Sequence, residues 1–294
     1  MIYFIVNPAA GNGRGEAAAN RAGKLLNEKG IDYRILFTKE PYHAAELTRK
    51  AIGEGAKTIV AVGGDGTLLE AAQGFMDGNE NIAPHINFGI IPVGSGNDFI
   101  KSLHIPKDID GAVEVILRGR SKKTDILKYN EGYCLNIGCI GIDSEIAYLA
   151  SKTKNIWGKF SYIVSVLRNI FTYKCIRAKI KIDGMTLEQK FTLIAVCNGK
   201  YYGGGFKITP MSQVNDGYIT LCYVDALMFL KILLIFPLVA FGMHKDLKIV
   251  HFKNCKELTL EFDREYKFNI DGNVIYTDGK VKFEVIKEAL NIIC

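Results

Sequence analysis

The sequence predicts two domains: a three-layer α/β domain with a parallel sheet, followed by a mainly antiparallel β-sandwich domain with inserted helices. Over residues 1–125, apolar strand patterns alternate with helical patterns, which is typical of parallel strands joined by helical crossovers. Over residues 126–294, short strand patterns follow one another with few helices between them. The domain boundary is therefore predicted near residue 125.

Length and composition agree with this division. At 294 residues and 32.6 kDa the chain is long enough for two hydrophobic cores. The seven cysteines are odd in number and lack CxxC spacing, so neither a zinc cluster nor a disulfide framework is predicted. The first residues, MIYFIVNPAAG, lack the basic lead and long apolar core of a signal peptide. We therefore expect a protein of the reducing cytoplasm.

The elements of the first domain can be placed from apolar periodicity. Strands are predicted over 2–6, 33–37, 58–62 and 88–91, and helices from the turn at 7–15 to about Lys29 and over 44–54, 68–76 and 111–118. In the second domain, strands are predicted over 133–137, 176–182, 191–197, 218–224, 258–262 and 281–285, and helices near 143–152, 157–172 and 226–242.

Residues 59–67, IVAVGGDGT, combine a buried strand with a glycine turn. Gly63 and Gly64 let the backbone turn sharply and approach a ligand closely. Asp65 presents a carboxylate at the strand end, where open α/β sheets bind their ligands. Thr67 is expected to cap the following helix, whose free N–H groups favour phosphate. Taken alone, the pattern also fits a strand–helix turn that binds nothing.

A second assembly of the same kind, FGIIPVGSGNDF, follows at residues 88–99. It places Asp98 in a glycine turn after a buried strand, and a third strand end adds Asp125. Phosphoryl transfer needs backbone donors for phosphates and carboxylates that hold a divalent metal. The sequence therefore predicts a nucleotide-phosphate site at two neighbouring turns, with Mg²⁺ near Asp65, Asp98 and Asp125.

The first loop, NPAAGNGRG at 7–15, is weaker evidence. Glu16 occupies the position where a dinucleotide fingerprint has its third glycine, and no GK[ST] ending is present. The loop is predicted to open onto a helix N-terminus, and a tight turn without a ligand remains the alternative.

Positive charge is concentrated in one stretch. The net charge is +6, and residues 146–182 contain eight Lys and Arg residues and no acidic residue. Aromatic residues such as Trp157 and Phe160 lie among these charges, which favours an anionic membrane surface over nucleic acid. A solvated basic face is the alternative.

The segment Ala226–Gly242, ALMFLKILLIFPLVAFG, is strongly apolar but contains Lys231 and Pro237. A spanning helix needs about 20 apolar residues. A broken helix packed on the core is therefore the first interpretation, a surface that enters lipid the second, and a transmembrane span the last.

Seven motifs occur in order over nearly the whole chain and resemble the soluble bacterial diacylglycerol kinase family, which includes sphingosine and ceramide kinases. They are NPAAG (7–11), GGDGT (63–67), PVGSGNDF (92–99), TDI (124–126), NIGCIGID (136–143), NDGY (215–218) and DG (271–272). GGDGT alone also occurs in NAD kinases and phosphofructokinases, but NPAAG and GSGND favour lipid kinases.

The resemblance implies a set of site residues. The ATP contacts implied are Asn7, Pro8, Ala9, Ala10, Gly11, Thr38, Gly64, Asp65, Gly66, Thr67, Leu68, Leu69, Glu70 and Ser95. A water-mediated network around a catalytic Mg²⁺ is implied at Asp65, Asp98 and Asp125, and a structural Mg²⁺ at Gln213, Asp216 and Tyr218.

One position departs from the family. The family pattern near the C-terminus is Asp-Gly-Glu, with the Glu as proposed general base, whereas this chain has Asp271, Gly272 and Asn273. A neutral amide cannot accept a proton from an alcohol. Three hypotheses follow: Asp271 replaces the base, the γ-phosphate accepts the proton, or the protein binds nucleotide without useful turnover. An ordinary hairpin turn at Asp271 is a fourth interpretation.

The expected function is that of an ATP- and Mg²⁺-dependent lipid kinase. It would phosphorylate a lipid hydroxyl such as that of diacylglycerol, from the cytoplasm, with peripheral association at the inner membrane face. No nucleic-acid partner is expected, and a homodimer is left open. The alternatives are a catalytically weak nucleotide- and lipid-binding regulator, and a kinase of a soluble acceptor such as NAD.

Overall fold

The computed structural model describes residues 1–130, 132–141, 173–277 and 279–294. The chain forms two compact units: Met1–Ile126 with Gln213–Gly217 and Ile286–Cys294, and Leu127–Ser212 with Tyr218–Val285. The sequence predicts one boundary near residue 125 and does not predict that two later segments join the first unit. The helices expected near 143–152 and 157–172, and most of the basic stretch 146–182, lie outside the described residues.

A parallel sheet forms the centre of the first unit. Its strands are β1 (Ile2–Val6), β2 (Tyr33–Phe37), β3 (Thr58–Gly63), β6 (Asn87–Pro92) and the end of β19 (Lys280–Ile293). β1 pairs with β2 and β3, and β6 pairs with β3 and with β19, all in parallel. β1, β3 and β6 are continuous apolar runs, as expected for strands covered on both faces. The predicted parallel sheet is confirmed.

Helices cover both faces of this sheet. Their bounds are α1 (Ala10–Gly13), α2 (Gly15–Asn27), α3 (His43–Gly53), α4 (Asp65–Gln73), α5 (Asp98–Leu103) and α6 (Ile109–Arg118). Apolar residues of α2 and α6 share one hydrophobic cluster with Phe4 and Val60 of the sheet. α3 and α4 pack together and contact β1 and β3. A short hairpin, β4 (Met76–Asp77) and β5 (Glu80–Asn81), follows α4.

Two differences from the predicted elements concern the glycine turns. α4 begins at Asp65 and ends at Gln73, whereas the predicted helix covers 68–76. α5 was not predicted, because its six residues are too few to show helical periodicity. Both helices therefore begin directly at the turns, and their first N–H groups lie there.

Asp125 ties the two later segments to the first unit. It lies on β7 (Ser121–Tyr129) and is fully buried, with 0% of its surface exposed. Its Oδ2 accepts a hydrogen bond from the N–H of Gly217 and its Oδ1 from the N–H of Glu288, both at 2.7 Å. Its own N–H donates to the carbonyl of Val214 at 2.7 Å. These long-range bonds explain why 213–217 and 286–294 belong here.

The second unit is built from antiparallel strands. Their bounds are β8 (Gly132–Cys134), β9 (Ile137–Gly141), β10 (Ile176–Ile182), β11 (Met185–Cys197), β12 (Tyr201–Tyr202), β13 (Phe206–Lys207), β14 (Ile219–Asp225), β15 (Val250–Cys255), β16 (Glu257–Phe262), β17 (Lys267–Ile270) and β18 (Asn273–Tyr276). β11 is central and pairs with β9, β10 and β14. The predicted β-rich class is confirmed, although β15, β17 and β18 were not predicted.

Side chains of β9 and β11 alternate between two hydrophobic clusters. Ile140 and Ile194 lie in one cluster, and their neighbours Cys139 and Ala195 lie in the other. The second cluster is covered by helix α7 (Phe229–Ala240), whose Val239 packs against it. A short 3₁₀ turn, Met243–Asp246, follows α7. In the described part of the chain, no helix is long and apolar enough to cross a membrane. All seven cysteines are free, as predicted.

Replacement of Asp125 tests the tie between these segments. We expect Asp125→Ala to lower the free energy of unfolding by about 2–4 kcal/mol, since two N–H groups lose their acceptor. Thermal and urea unfolding followed by circular dichroism would measure the change. Asp110→Ala is the matched control: the Asp110 carboxylate is exposed and pairs with Arg21 at 2.6 Å, so we expect a much smaller loss of stability than in Asp125→Ala. Equal losses in the two variants would contradict the assignment.

Candidate functional site

The two glycine turns lie in direct contact. β3 and β6 are adjacent and in register, with Gly63 opposite Pro92. A Cβ atom on Gly94 would lie 2.6 Å from the Cα of Gly64, and one on Gly64 would lie 3.1 Å from the Cα of Gly94. Only glycine fits at Gly94, because any side chain there would push the two turns apart.

Asp65 joins the turns by hydrogen bonds. Its Oδ1 accepts from the N–H of Asp98 at 3.0 Å and from the N–H of Phe99 at 3.2 Å. These donors are the first two N–H groups of α5, which have no acceptor within the helix. Asp65 is therefore the first residue of α4, and its carboxylate also accepts the first two N–H groups of α5.

Burial opposes the charge of Asp65. Burial raises the pKa of this carboxyl above its ordinary value, and the N–H groups of Asp98 and Phe99 only partly offset this effect. Lys101 forms an ion pair with Asp98 at 2.5 Å, with little of either side chain exposed. Sequence reasoning missed Lys101. Its signal was a basic residue three positions after Asp98, which faces the same side of a helix.

The first loop reaches the same sheet edge. The side-chain amide of Asn7 donates to the hydroxyl of Thr67 at 3.1 Å. Gly11 has a φ of +60°, and a Cβ atom on it would lie 2.2 Å from the carbonyl oxygen of Val93. The loops after β1, β3 and β6 therefore contact one another. The predicted helix cap at Thr67 is wrong. α4 already begins at Asp65, and its N-cap residue is Gly64, so no side chain caps the helix.

The remaining predicted nucleotide contacts fall into two groups. Most belong to the loops just described: Pro8, Ala9 and Ala10 in the first, Gly64 and Gly66 in the second, and Ser95, which is exposed, in the third. Thr38 follows β2, and its N–H donates to the carbonyl of Val6 at 2.8 Å. Leu68 and Leu69 are each 3% exposed, and Glu70 follows them on α4. The two leucines therefore offer a ligand at most their main chain.

The carboxylates among the predicted metal ligands lie in two pairs. Asp65 lies beside Asp98. Burial raises the pKa of Asp125, and the nearby Asp216 carboxylate adds a smaller contribution in the same direction. Gln213 is exposed in the same turn as Asp216, and Tyr218 begins the return of the chain to the second unit. Among the described residues, no three His, Cys, Asp or Glu side chains are grouped closely enough to hold a metal by themselves.

Asp271 lies in the second unit and has a different environment. It is 7% exposed, and its carboxylate accepts main-chain N–H bonds from Leu135 at 2.6 Å, Asn136 at 3.0 Å and Ile137 at 2.8 Å. These three N–H groups already occupy most of the acceptor sites of the carboxylate. The geometry therefore favours a role for Asp271 in shaping the main chain at 135–137. Asn273 is exposed at the start of β18.

Asn198, in the second unit, is another residue that the sequence analysis does not identify. Its side-chain amide donates to the carbonyl of Leu135 at 2.8 Å, and its N–H donates to the carbonyl of Asn136 at 2.8 Å. The sequence contains no local pattern that would have singled it out.

Comparison with protein families gives matches to both parts of the chain. Residues 1–129 match the diacylglycerol kinase catalytic domain, and residues 137–294 match the YegS C-terminal NAD kinase beta sandwich-like domain. The second match alone covers more than half of the chain.

Individual proteins give the same result. A diacylglycerol kinase of Staphylococcus aureus (strain MRSA252) is 29% identical over 270 residues, which are 92% of this chain and 84% of that protein. A crystal structure of a proposed diacylglycerol kinase from Bacillus anthracis str. Sterne is similar with a TM-score of 0.80 and 26% identity, and covers 99% of this chain and 94% of that one. A further diacylglycerol kinase structure from the same organism has a TM-score of 0.72 at 23% identity, with 99% and 96% coverage, and supports the fold alone. Motifs, fold and relatives agree: the chain is a phosphotransferase that belongs to the diacylglycerol kinase family of bacterial lipid kinases.

Proposed function

We propose that this protein transfers the γ-phosphoryl group of ATP to a hydroxyl group of a membrane lipid, diacylglycerol or a close relative, with the help of Mg²⁺. The observation that carries the proposal is the contact between the glycine turns at Gly64 and Gly94, joined by the hydrogen bonds from α5 to Asp65. The relatives named diacylglycerol kinase support the choice of lipid.

The main chain of the first unit fits a triphosphate. A Cβ atom on Gly66 or on Gly13 would meet nothing within 4 Å, so both loops have open space beside their main chain. The first N–H groups of α4 have no acceptor within the helix, and the positive end of the helix dipole lies there. Main-chain donors beside open space suit phosphate oxygens.

The carboxylates near Gly96 fit Mg²⁺. A Cβ atom on Gly96 would lie 3.3 Å from Oδ2 of Asp65 and 3.6 Å from Oδ2 of Asp98, so both carboxylates face one point. Mg²⁺ uses one or two carboxylates and keeps several waters, and when bound it neutralises charge on the transferring phosphoryl group. Lys101 beside Asp98 adds positive charge to the same place. For a second Mg²⁺ we propose the Asp216 carboxylate with main-chain carbonyls of Gln213 and Tyr218.

The proton of the acceptor hydroxyl needs a destination. Asn273 cannot take it, and three main-chain donors already engage Asp271. Of the three hypotheses, acceptance by the γ-phosphate itself in a loose transition state requires no protein base. The third hypothesis, a nucleotide- and lipid-binding regulator with little turnover, predicts ATP binding without product.

A soluble acceptor such as NAD is the second candidate. Residues 137–294 match a domain described as NAD kinase beta sandwich-like, and this match supports NAD as an alternative acceptor. For the lipid kinase we further propose a cytoplasmic location, with peripheral association at the anionic inner face of the membrane.

Incubation with labelled substrate separates these possibilities. With γ-labelled ATP, Mg²⁺ and anionic vesicles that contain diacylglycerol, we expect label in phosphatidic acid, and none in NADP when NAD replaces the vesicles. Because the acceptor is embedded in lipid, turnover should depend on vesicle concentration. Absence of labelled lipid at every enzyme concentration would defeat the proposal, and transfer to NAD without vesicles would support the soluble alternative.

Replacement of Asp65 separates its chemical role from its structural one. We expect Asp65→Asn to lower turnover by roughly a hundredfold or more, since a ligand of the metal and the charge beside the phosphates are lost. The raised pKa means that the folded protein holds this proton more tightly than the unfolded chain. The free energy of unfolding therefore falls as pH rises from the ordinary pKa of 3.8 to the raised value, and remains lower at neutral pH.

The Asp65→Asn variant carries a neutral amide, so it does not lose unfolding free energy by ionisation at this position. Its melting temperature at pH 7 should therefore equal or exceed that of the wild type. Asp77→Asn, at an exposed carboxylate of the same unit, is the control and should change neither quantity. Undiminished turnover in Asp65→Asn would contradict the assigned role.

Restoring the family's glutamate tests the base. We expect Asn273→Glu to raise lipid phosphorylation by about 10²-fold, as general base catalysis typically does. Asn254→Glu is the matched control, because Asn254 is also an exposed strand asparagine of the second unit. Position 273 is exposed, so the melting temperature should hardly change in either variant. An unchanged rate in Asn273→Glu would show that another group already accepts the proton.

A further inference from the structure

Helix α7 is rich in apolar residues around its circumference, yet within the described part of the chain it packs on the protein through one side. The segment reads FLKILLIFPLVA over Phe229–Ala240. Ile232 is 7% exposed, and Val239 packs against the cluster that contains Cys222 and Val224. A helix that is hydrophobic all round is normally covered on all sides.

The opposite side of α7 is exposed to solvent. Leu230 is 67% exposed, Leu234 75% and Phe241, at the helix end, 75%. With Leu233 and Pro237 these residues recur at intervals of three and four, so they lie on one face of the helix. We call Leu230, Leu233, Leu234, Pro237 and Phe241 the outer stripe.

Met228 at the helix start and Met243 after its end extend this surface, with 74% and 58% exposed. Large contiguous apolar surfaces on folded proteins mark places where something binds.

Lysines lie within and just after the segment that carries the outer stripe. Lys231 on α7 and Lys245 and Lys248 just after it are exposed, and Asp246 is the acidic residue of segment 226–248. The Lys207 side chain lies close to Gly242, where a Cβ atom would be 3.4 Å from its Cδ. These four lysines, which we call the lysine fringe, form no ion pair with a described residue.

We propose that the outer stripe docks on the surface of an anionic lipid bilayer, with the lysine fringe at the level of the headgroups. This inference rests on the proposed function, which places the acceptor in a bilayer, and it assigns the docking surface. Apolar side chains flanked by lysines are the pattern that binds anionic interfaces. A second copy of the chain fits less well, because a symmetric pair would bring two lysine fringes together around the same apolar face.

The size of α7 sets how it binds. Its 12 residues give a length of about 18 Å, whereas the hydrocarbon core of a bilayer is about 30 Å thick. The helix therefore lies in the interface parallel to the membrane plane. Its inner face stays on the β-sheet while the leucines and Phe241 enter the headgroup–acyl boundary.

Vesicle binding without ATP tests the proposal. The probes are vesicles of phosphatidylcholine alone and of phosphatidylcholine mixed with phosphatidylglycerol, and bound protein is measured by flotation. The test variant is Leu230→Gln with Leu234→Gln and Phe241→Gln, and a second variant carries Lys231→Gln, Lys245→Gln and Lys248→Gln. The matched control is Met185→Gln with Tyr276→Gln, two apolar side chains of the same unit that are 57% and 58% exposed but lie on other elements.

We expect the wild type and the control to bind the anionic vesicles more tightly than the neutral ones. Affinity for anionic vesicles should fall about tenfold or more in the apolar variant, since three apolar side chains no longer enter the interface. The lysine variant should lose the preference for anionic vesicles. Circular dichroism, melting temperature and turnover on a short-chain diacylglycerol dispersed in detergent should stay unchanged in both variants.

Three results would overturn the proposal: absence of wild-type binding to anionic vesicles, unchanged binding by the apolar variant, or a wild-type dimer that the apolar variant dissociates without a change in vesicle binding. The last result would assign the outer stripe to a second copy. Because flotation needs no turnover, vesicle binding by a protein that phosphorylates no lipid would contradict the proposed function and leave the docking surface standing.

Discussion

The contact between the turns after β3 and β6 is the constraint on which the site depends. Gly64 and Gly94 meet main chain to main chain, and the Asp65 carboxylate accepts the first N–H groups of α5. Two helices therefore begin at one point of the sheet edge, and the first N–H groups of α4, which have no acceptor within their helix, lie there. The loop after β1 joins them through Asn7 and Thr67.

Three carboxylates, of which Asp125 and Asp271 are buried and Asp65 is half-buried, hold the chain together by accepting main-chain hydrogen bonds from distant segments. Asp65 binds the start of α5, Asp125 binds the turn at Gly217 and the last strand, and Asp271 binds residues 135–137. Burial raises the pKa of Asp65 and of Asp125, which shows that their charge is maintained at a cost to folding. For Asp65 the cost of keeping the carboxylate ionised arises beside the proposed Mg²⁺, which needs negatively charged ligands.

Much of the first unit could be predicted, because continuous apolar runs indicate buried parallel strands and the glycine turns follow directly. The limits of prediction lie in long-range bonds. No local pattern shows that Asp125 draws 213–217 and 286–294 into the first unit, or that Asp271 is engaged by 135–137. The exposed face of α7 was also beyond reach, since periodicity cannot tell which side of an apolar helix the core covers.

The most direct test of the account is a crystal structure with a non-hydrolysable ATP analogue and Mn²⁺ in place of Mg²⁺, whose anomalous signal locates the metal. We expect phosphate oxygens within hydrogen-bond distance of main-chain N–H groups of residues 64–67, with Mn²⁺ beside Asp65 and Asp98. A triphosphate bound elsewhere, or a metal remote from both carboxylates, would contradict it.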